Sequence, residues 1–327
     1  MTPREIVHSA ITFQSPPRLP FNLPDSWGSD FASTCADPHP DHRPYGDFTE
    51  ERDEWGCLWR NIGLCKLGEV VESPLEHWAD LGKLNVPDIR EERRWEGVKR
   101  AREEAGDRFL VATATSLFER IHFIRGLQNA WMDIHTGPDE LCRLIDILVD
   151  INLYAIERYA AYDVDAIISM DDWGLQDRLM IDPEKWRALW KPRYSRVWGA
   201  AREAGLHTIL HSCGYIVDVL DDMIDAGLEV IQMDQQENMG LEQLGERFGG
   251  RIAFYSPVDI QNTMARGNPD EIRAYCRDMV RRLGRPRGGF IPKWYPDPAG
   301  AGHTDEAIEA MCDEFVRLAK DPSTWGG

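Results

Sequence analysis

Cysteine, positive charge and long apolar runs are all scarce in this 327-residue chain, and each shortage excludes something. The seven cysteines (Cys35, Cys57, Cys65, Cys142, Cys213, Cys276 and Cys312) are odd in number and scattered. That argues against a disulfide framework and for a reducing, cytoplasmic setting. Lysine and arginine total 37 against 56 aspartates and glutamates, a formal net charge of −19. Nucleic acid and anionic lipid are therefore disfavoured as partners, and so is a polyanionic substrate unless basic residues gather locally. No apolar run approaches the roughly 20 residues that span a bilayer. The opening MTPREIVHSAITFQ lacks a basic region followed by a long apolar stretch, so it does not read as a secretory signal. No glycine-rich dinucleotide fingerprint follows any expected strand, and there is no internal repeat or low-complexity tail.

What is present is alternation. Thr2-Pro3-Arg4-Glu5 is a capping box with proline at the first helical position, which predicts a helix over 3–10. Residues 18–23 (RLPFNL) are the first strand expected, and residues 24–52 read as a long loop. A hairpin is expected from 55–60 and 67–71 around Gly63, then helices over 74–84 and 89–105. From 109 the rhythm is regular: strands at 109–114, 165–170, 206–210, 228–233, 251–255 and 289–292. Helices fall between them at 117–134 (broken near Gly126), 139–162, 183–205, 215–226, 241–248 and 269–283, with a closing helix at 305–319. Strands alternating with helices imply a parallel sheet. Seven strand-plus-helix units can be counted and the eighth is not placed. Their short spacing favours an α/β fold of the (β/α)8 TIM-barrel type over an open doubly wound sheet. The whole chain, 1–327, is expected to be one barrel domain, with 24–107 an N-terminal elaboration of loop, hairpin and helices.

In such a barrel, chemistry belongs at the C-terminal ends of the strands. Asp171-Asp172-Trp173-Gly174 follow one strand and His211-Ser212-Cys213-Gly214 end the next. Gln232 and Asp234, then Asp259, then Lys293-Trp294-Tyr295 follow the later ones. A strand alternates its side chains with a period of two, so His211 and Cys213 point to one side. Imidazole and thiolate are donors that zinc prefers, and a helix beginning just after Cys213 would lower its thiol pKa. Two readings stand for the pair: metal ligands, or a buried cysteine beside a hydrogen-bonded histidine. Asp171 is the best third ligand on this reading, with a turn contact as its other meaning. Trp186 and Trp190, four apart, read as core, whereas Trp27, Trp55, Trp173 and Trp294 fall in or near rim loops and could wall a pocket. Cys35, His39 and His42 read as surface loop rather than as a second metal cluster, and Arg273, Arg277 and Arg281 as a solvated stripe.

The stretches 164–186, 206–232 and 254–295 together resemble the uroporphyrinogen decarboxylase superfamily, over roughly residues 1–320. The resemblance implies a (β/α)8 barrel. True uroporphyrinogen decarboxylases carry an arginine-rich N-terminal signature of the RQAGR type. Here the corresponding segment is FNLPDSWGSDF, without arginine. The zinc methyltransferases of the superfamily, which work with corrinoid proteins, carry a His-x-Cys matched by His211 and Cys213. Their further cysteine would fall near Tyr295, where none stands; Asp171 matches the acid placed after the preceding strand, with His303 a further candidate. No corrinoid-binding Asp-x-His-x-x-Gly is present, because Asp133-Ile134-His135-Thr136-Gly137 misses the spacing by one residue. Any corrinoid would therefore come on a partner protein.

The resemblance implies a methyltransferase acting between a small methyl donor or acceptor, such as a methoxylated aromatic, and a corrinoid protein. Zinc on His211, Cys213 and Asp171 would be the Lewis acid, and of the catalytic pair Asp171 would be a ligand or proton relay and Asp172 would orient the site from behind. Trp173, Gln232, Asp259, Lys293, Trp294 and Tyr295 would bind substrate. Two other functions stay open: a metal-independent decarboxylase or lyase, whose carboxylate clamp would draw on Lys293, Arg178 and Arg18, and a non-catalytic ligand-binding barrel. The oligomeric state is left open.

Overall fold

The computed structural model describes residues 1–42, 49–61, 68–285 and 287–325. The expected capping box is formed: the Glu5 amide donates to the Thr2 hydroxyl at 3.2 Å, and the Thr2 amide donates to the Glu5 carboxylate at 2.8 Å. It opens α1 (Pro3–Ile11), whose Val7 and Ile11 point into the molecule. The first strand of the main sheet is β1 (Phe31–Thr34), inside the stretch expected to be loop. Residues 18–23 supply instead one parallel bridge, Asn22 to Lys293, and one antiparallel bridge, Asn22 to Ser29. The reason is local. Pro20 has no amide to give a ladder, and the amide of Phe21 is taken by the buried carboxylate of Asp30.

Three short strands, β2 (Glu50–Arg52), β3 (Leu58–Arg60) and β4 (Glu69–Glu72), form a separate antiparallel sheet. The last two are the expected hairpin; its turn at Gly63, Leu67 at the start of its second strand, and 43–48 of the expected loop lie outside the described residues. Where helices were expected over 74–84 and 89–105, 3-10 turns occupy Trp78–Lys83 and Glu92–Trp95, and only α2 (Glu96–Ala105) is an α-helix.

Beyond this the expected alternation is observed: β5 (Phe109–Thr113), α3 (Glu119–Arg125), α4 (Leu127–Thr136), α5 (Asp139–Ala161), β6 (Ala166–Met170), α6 (Pro183–Leu189) and α7 (Lys191–Glu203). Next come β7 (His207–His211), α8 (Val217–Asp225), β8 (Val230–Gln232), α9 (Leu241–Phe248), β9 (Ala253–Ser256), α10 (Thr263–Arg266), α11 (Pro269–Leu283), β10 (Phe290–Pro292) and α12 (Asp305–Ala319). The break between α3 and α4 sits at Gly126, whose φ of +77° suits glycine.

The seven main strands are parallel in the order β1-β5-β6-β7-β8-β9-β10. Their inward residues, among them Phe31, Phe109, Val111, Ile209, Val230 and Tyr255, form one apolar cluster closed from below by Val7 and Ile11. Phe31 of β1 stacks on Tyr255 of β9 at 5.4 Å, so early and late strands face each other across that cluster. The sheet is thus strongly curled, with helices packed on its outer face around a larger core that includes Trp186 and Trp190. No helix among the described residues is long and apolar enough to cross a membrane.

Candidate functional site

The loops after β6 and β7 are locked together by main-chain contact. Met170 and His211 are register partners at the ends of their strands. Beyond them the Asp171 amide donates to the His211 carbonyl (3.0 Å) and the Gly174 amide to the Cys213 carbonyl (3.2 Å). The Cys213 amide in turn donates to Asp172 Oδ1 at 2.7 Å. Two glycines permit this approach. A β-carbon on Gly174 would lie 2.2 Å from the Tyr215 nitrogen, and one on Gly214, at φ +76°, would lie 2.2 Å from the Gly174 carbonyl oxygen. Held this way, one donor atom each from Asp172, His211 and Cys213 fall within 4.8 Å of one another. His211 Nε2 is 3.4 Å from Asp172 Oδ1 and 3.5 Å from Cys213 Sγ.

The electrostatics follow from this crowding. Burial works against a charged His211 ring, but Asp172 and Cys213 more than offset it and hold its pKa well above the ordinary value. Burial likewise opposes ionisation of Asp172, and His211 overrides it, leaving that carboxyl below the usual range. Cys213 departs from expectation: burial pushes its thiol up, against the opposing pull of His211. The helix expected to lower it begins only at Val217, too far along the chain for its terminus to act on the sulfur.

Asp171, expected as the third ligand, is fully buried and turned the other way. Its carboxylate accepts the amides of Leu117 (3.1 Å), Phe118 (2.8 Å) and Glu119 (2.9 Å) and the hydroxyl of Tyr194 (2.7 Å). It secures the start of α3, and burial lifts its pKa to about 6 against the pull of those four donors. The carboxylate beside His211 and Cys213 belongs to its neighbour, Asp172.

The expected substrate residues divide. Gln232 and Lys293 belong to the site's surroundings. Gln232 Oε1 meets His211 Nδ1, its Nε2 donates to Asp234 at 2.8 Å, and Lys293 Nζ donates to the same Asp234 oxygen at 2.9 Å. Trp294 and Tyr295 line a narrow apolar slot with Ile260, Met264 and His303, and Trp294 also borders a cleft of about 520 Å³ reaching Asn22 and Ser33. Asp259 and Trp173 are elsewhere employed. The Asp259 carboxylate accepts the amides of Gln261, Asn262 and Thr263, which caps the turn into α10. Trp173 is fully buried, stacked on Phe118 at 3.8 Å with its Nε1 bonded to the Tyr194 hydroxyl, so it is packing rather than pocket wall. His303 bonds the Ile260 carbonyl, away from the three donors. Asp172, His211 and Cys213 are the one group of three such donors among the described residues, so Cys35, His39 and His42 do not form a second.

Glu119 escaped the sequence reading because it stands on α3 rather than at one of the five strand ends singled out. It lies against Asp171 and Asp172, and burial with these two neighbours pushes its carboxyl up to about 8. The only signal available was that a glutamate opens the helix after β5, which is too common to single out.

An oxygen, a nitrogen and a sulfur donor meeting at the open end of a parallel sheet suit zinc, and three protein ligands leave a fourth position for substrate. The chain is 24% identical over 239 residues to the methylcobamide:CoM methyltransferase MtbA of Methanosarcina mazei, a match covering 72% of this chain and 68% of that enzyme. With the enzyme of the same name from Methanosarcina acetivorans it is 24% identical over 195 residues, 58% of this chain and just over half, 56%, of that enzyme's length. A solved methyltransferase from Methanosarcina mazei has the same fold, with a TM-score of 0.68, 18% identity and coverage of 96% of this chain and 99% of that one. The family described as Uroporphyrinogen decarboxylase (URO-D) matches residues 66–292, well over half the sequence, and the chain belongs to that family.

Proposed function

We propose that this chain is a methyltransferase that moves a methyl group between a small substrate and a corrinoid protein, with zinc held by Asp172, His211 and Cys213. The observation that carries the reading is the convergence of those three donor atoms where the strands end. The methyltransferase activity of the two Methanosarcina relatives supports it. Zinc bound there would supply Lewis acidity, steadying a thiol acceptor as thiolate or the oxyanion left when a methyl ether is cleaved. The chain's own residues do the rest. Gln232 holds the Nδ1 edge of His211, the Cys213 amide orients Asp172, and Asp171 anchors α3 behind the site. Trp294 and Tyr295 would wall the substrate, a methoxylated aromatic or similar apolar methyl compound. The scaffold is read as a barrel whose eighth stave is the segment around Asn22, and the protein as cytoplasmic, in keeping with free thiols at all six described cysteines.

The corrinoid is assigned to a partner because Asp133-Ile134-His135 lies within α4, with Asp133 engaged by Arg125 (2.8 Å) and Trp78 (3.0 Å). The decarboxylase reading is not favoured. The cations it would use are paired: Arg18 with Asp30, Lys293 with Asp234, and Arg178 with Asp177. Metal content of the wild type and of a His211→Ala/Cys213→Ala double variant, alongside methyl transfer from methylcobalamin to small thiols, tests the proposal. One zinc per chain in the first, none in the second, and turnover only in the first are expected. Metal-free wild type, or a double variant that transfers methyl as fast, would sink it.

A further inference from the structure

The side chains behind His211 form a line whose hydrogen-bond direction is dictated from its far end. Lys293, at the end of β10, has only donors; the Asp234 carboxylate has only acceptors. With Lys293 Nζ at 2.9 Å, Asp234 is held in the accepting role. The amide of Gln232, at the end of β8, must then turn its NH2 towards Asp234, where it sits at 2.8 Å, and this leaves its oxygen facing His211. An oxygen cannot donate, so His211 Nδ1 must keep its proton, and the proton a metal would displace is the one on Nε2, the atom beside Asp172 and Cys213. Gln232, Asp234 and Lys293 are each more than nine-tenths buried, so water does not compete for these contacts. Lys293 reaches its place across the ring of Tyr255, 5.7 Å from the ring centre.

We propose that Lys293, Asp234 and Gln232 are positioning residues that act in series to fix the tautomer and orientation of His211 as a metal ligand. This rests on the zinc reading above and assigns no substrate contact to Lys293 or Gln232.

The test uses the whole chain and zinc alone, with affinity read by competition against a chromophoric chelator and ligand geometry by cobalt(II) absorption. Gln232→Leu, which keeps volume but removes the acceptor, should weaken zinc binding about 10- to 100-fold and alter the cobalt spectrum. Asp234→Leu should act in the same direction, because a released amide can turn its NH2 to His211. Gln232→Glu, protonated on the oxygen that faces Asp234, keeps the direction of every bond. Lys293 and the new carboxyl O–H both donate to the Asp234 carboxylate, and the other carboxyl oxygen accepts from His211. This variant should recover most of the affinity lost in Gln232→Leu, which a purely structural role would not produce. A reading independent of metal is the Nδ1 proton of His211 in the apo protein by 15N–1H NMR, slowly exchanging in wild type and rapidly exchanging in Gln232→Leu. Unchanged zinc affinity in Gln232→Leu, or no protected ring proton in wild type, would overturn the proposal. A wild type without zinc but with that protected proton would overturn the metal reading and leave the relay standing.

Discussion

Two aspartates one residue apart face opposite ways, and exchanging a single atom in each separates folding from metal binding. In Asp172→Asn the amide oxygen can still accept from the Cys213 amide, now at 2.7 Å from Oδ1, so stability should change by less than about 1 kcal/mol. The anionic ligand is gone, however. A four-ligand structural zinc site binds with roughly 10–16 kcal/mol, or about 3 kcal/mol per ligand, so zinc affinity should fall on the order of 100-fold. In Asp171→Asn the oxygen can keep Phe118 and Glu119, but the new NH2 then faces the fixed Leu117 amide, while the Tyr194 hydroxyl can turn to accept. A buried donor left facing a donor costs about 1–3 kcal/mol. Removing a charge from a fully buried place offsets part of it, leaving a net loss of about 1–2 kcal/mol. Zinc affinity should stay within about threefold of wild type on the same ligand arithmetic. Urea unfolding of the metal-free proteins and chelator competition on the folded ones measure the two quantities separately. If Asp171→Asn loses zinc while Asp172→Asn retains it, the assignment of the carboxylates is wrong.

Three further outcomes are expected. Gly214→Ala, whose new methyl would strike the Gly174 carbonyl at a φ of +76°, should push the two loops apart and lower zinc affinity with little change in the far core, read by chelator competition and near-UV circular dichroism. Trp173→Ala should cost about 3–5 kcal/mol of stability in urea unfolding, whereas Trp294→Ala, at the half-buried slot, should cost far less and act on KM for the methyl substrate. The His122 ring, packed on Phe118 at 4.1 Å with Nε2 unpartnered, has its pKa pushed down to about 4 by burial. A histidine depressed in the folded state loses stability as pH falls below the unfolded value of about 6.5. Between pH 7 and pH 5 the wild type should therefore lose about 2 kcal/mol relative to His122→Leu, and a stability gap that stays flat with pH would contradict this.

Much of the fold was legible because buried parallel strands write themselves as short apolar runs, and helices between them carry their own caps. Residues 109–113, 166–170 and 207–211 show this, as does the glycine break at Gly126. The first strand was misplaced for a physical reason. RLPFNL has the apolar content of a strand but Pro20 within it, while FAST is half polar and sits in a stretch rich in turn residues. What favours the second segment is tertiary: its ladder with β5, from Phe31 opposite Phe109 to Thr34 opposite Ala112, and the ring of Tyr255 across the interior.

The site was legible to the same depth. Period-two alternation holds as far as a strand holds, and it put His211 and Cys213 on one side because the chain is still near-extended there. Past Met170, the register partner of His211, the same alternation puts Asp172 on that side and Asp171 on the other, but without the register the sequence alone does not say which of the two adjacent carboxylates it is. What decides between them is the partner each finds: four donors converge on Asp171 from α3 and α7, and the Cys213 amide takes Asp172. A charge fully buried at Asp171 without those donors would be untenable, so the start of α3 and the place of Asp172 beside His211 follow from the same contacts. The sequence does carry a trace of this coupling. Gly174 stands four residues after its strand and Gly214 three after its own, and a β-carbon on either would strike main-chain atoms of the other. Two loops that must touch main chain to main chain need glycine on both sides, and the second aspartate of the first loop is the one such contact carries to the cysteine.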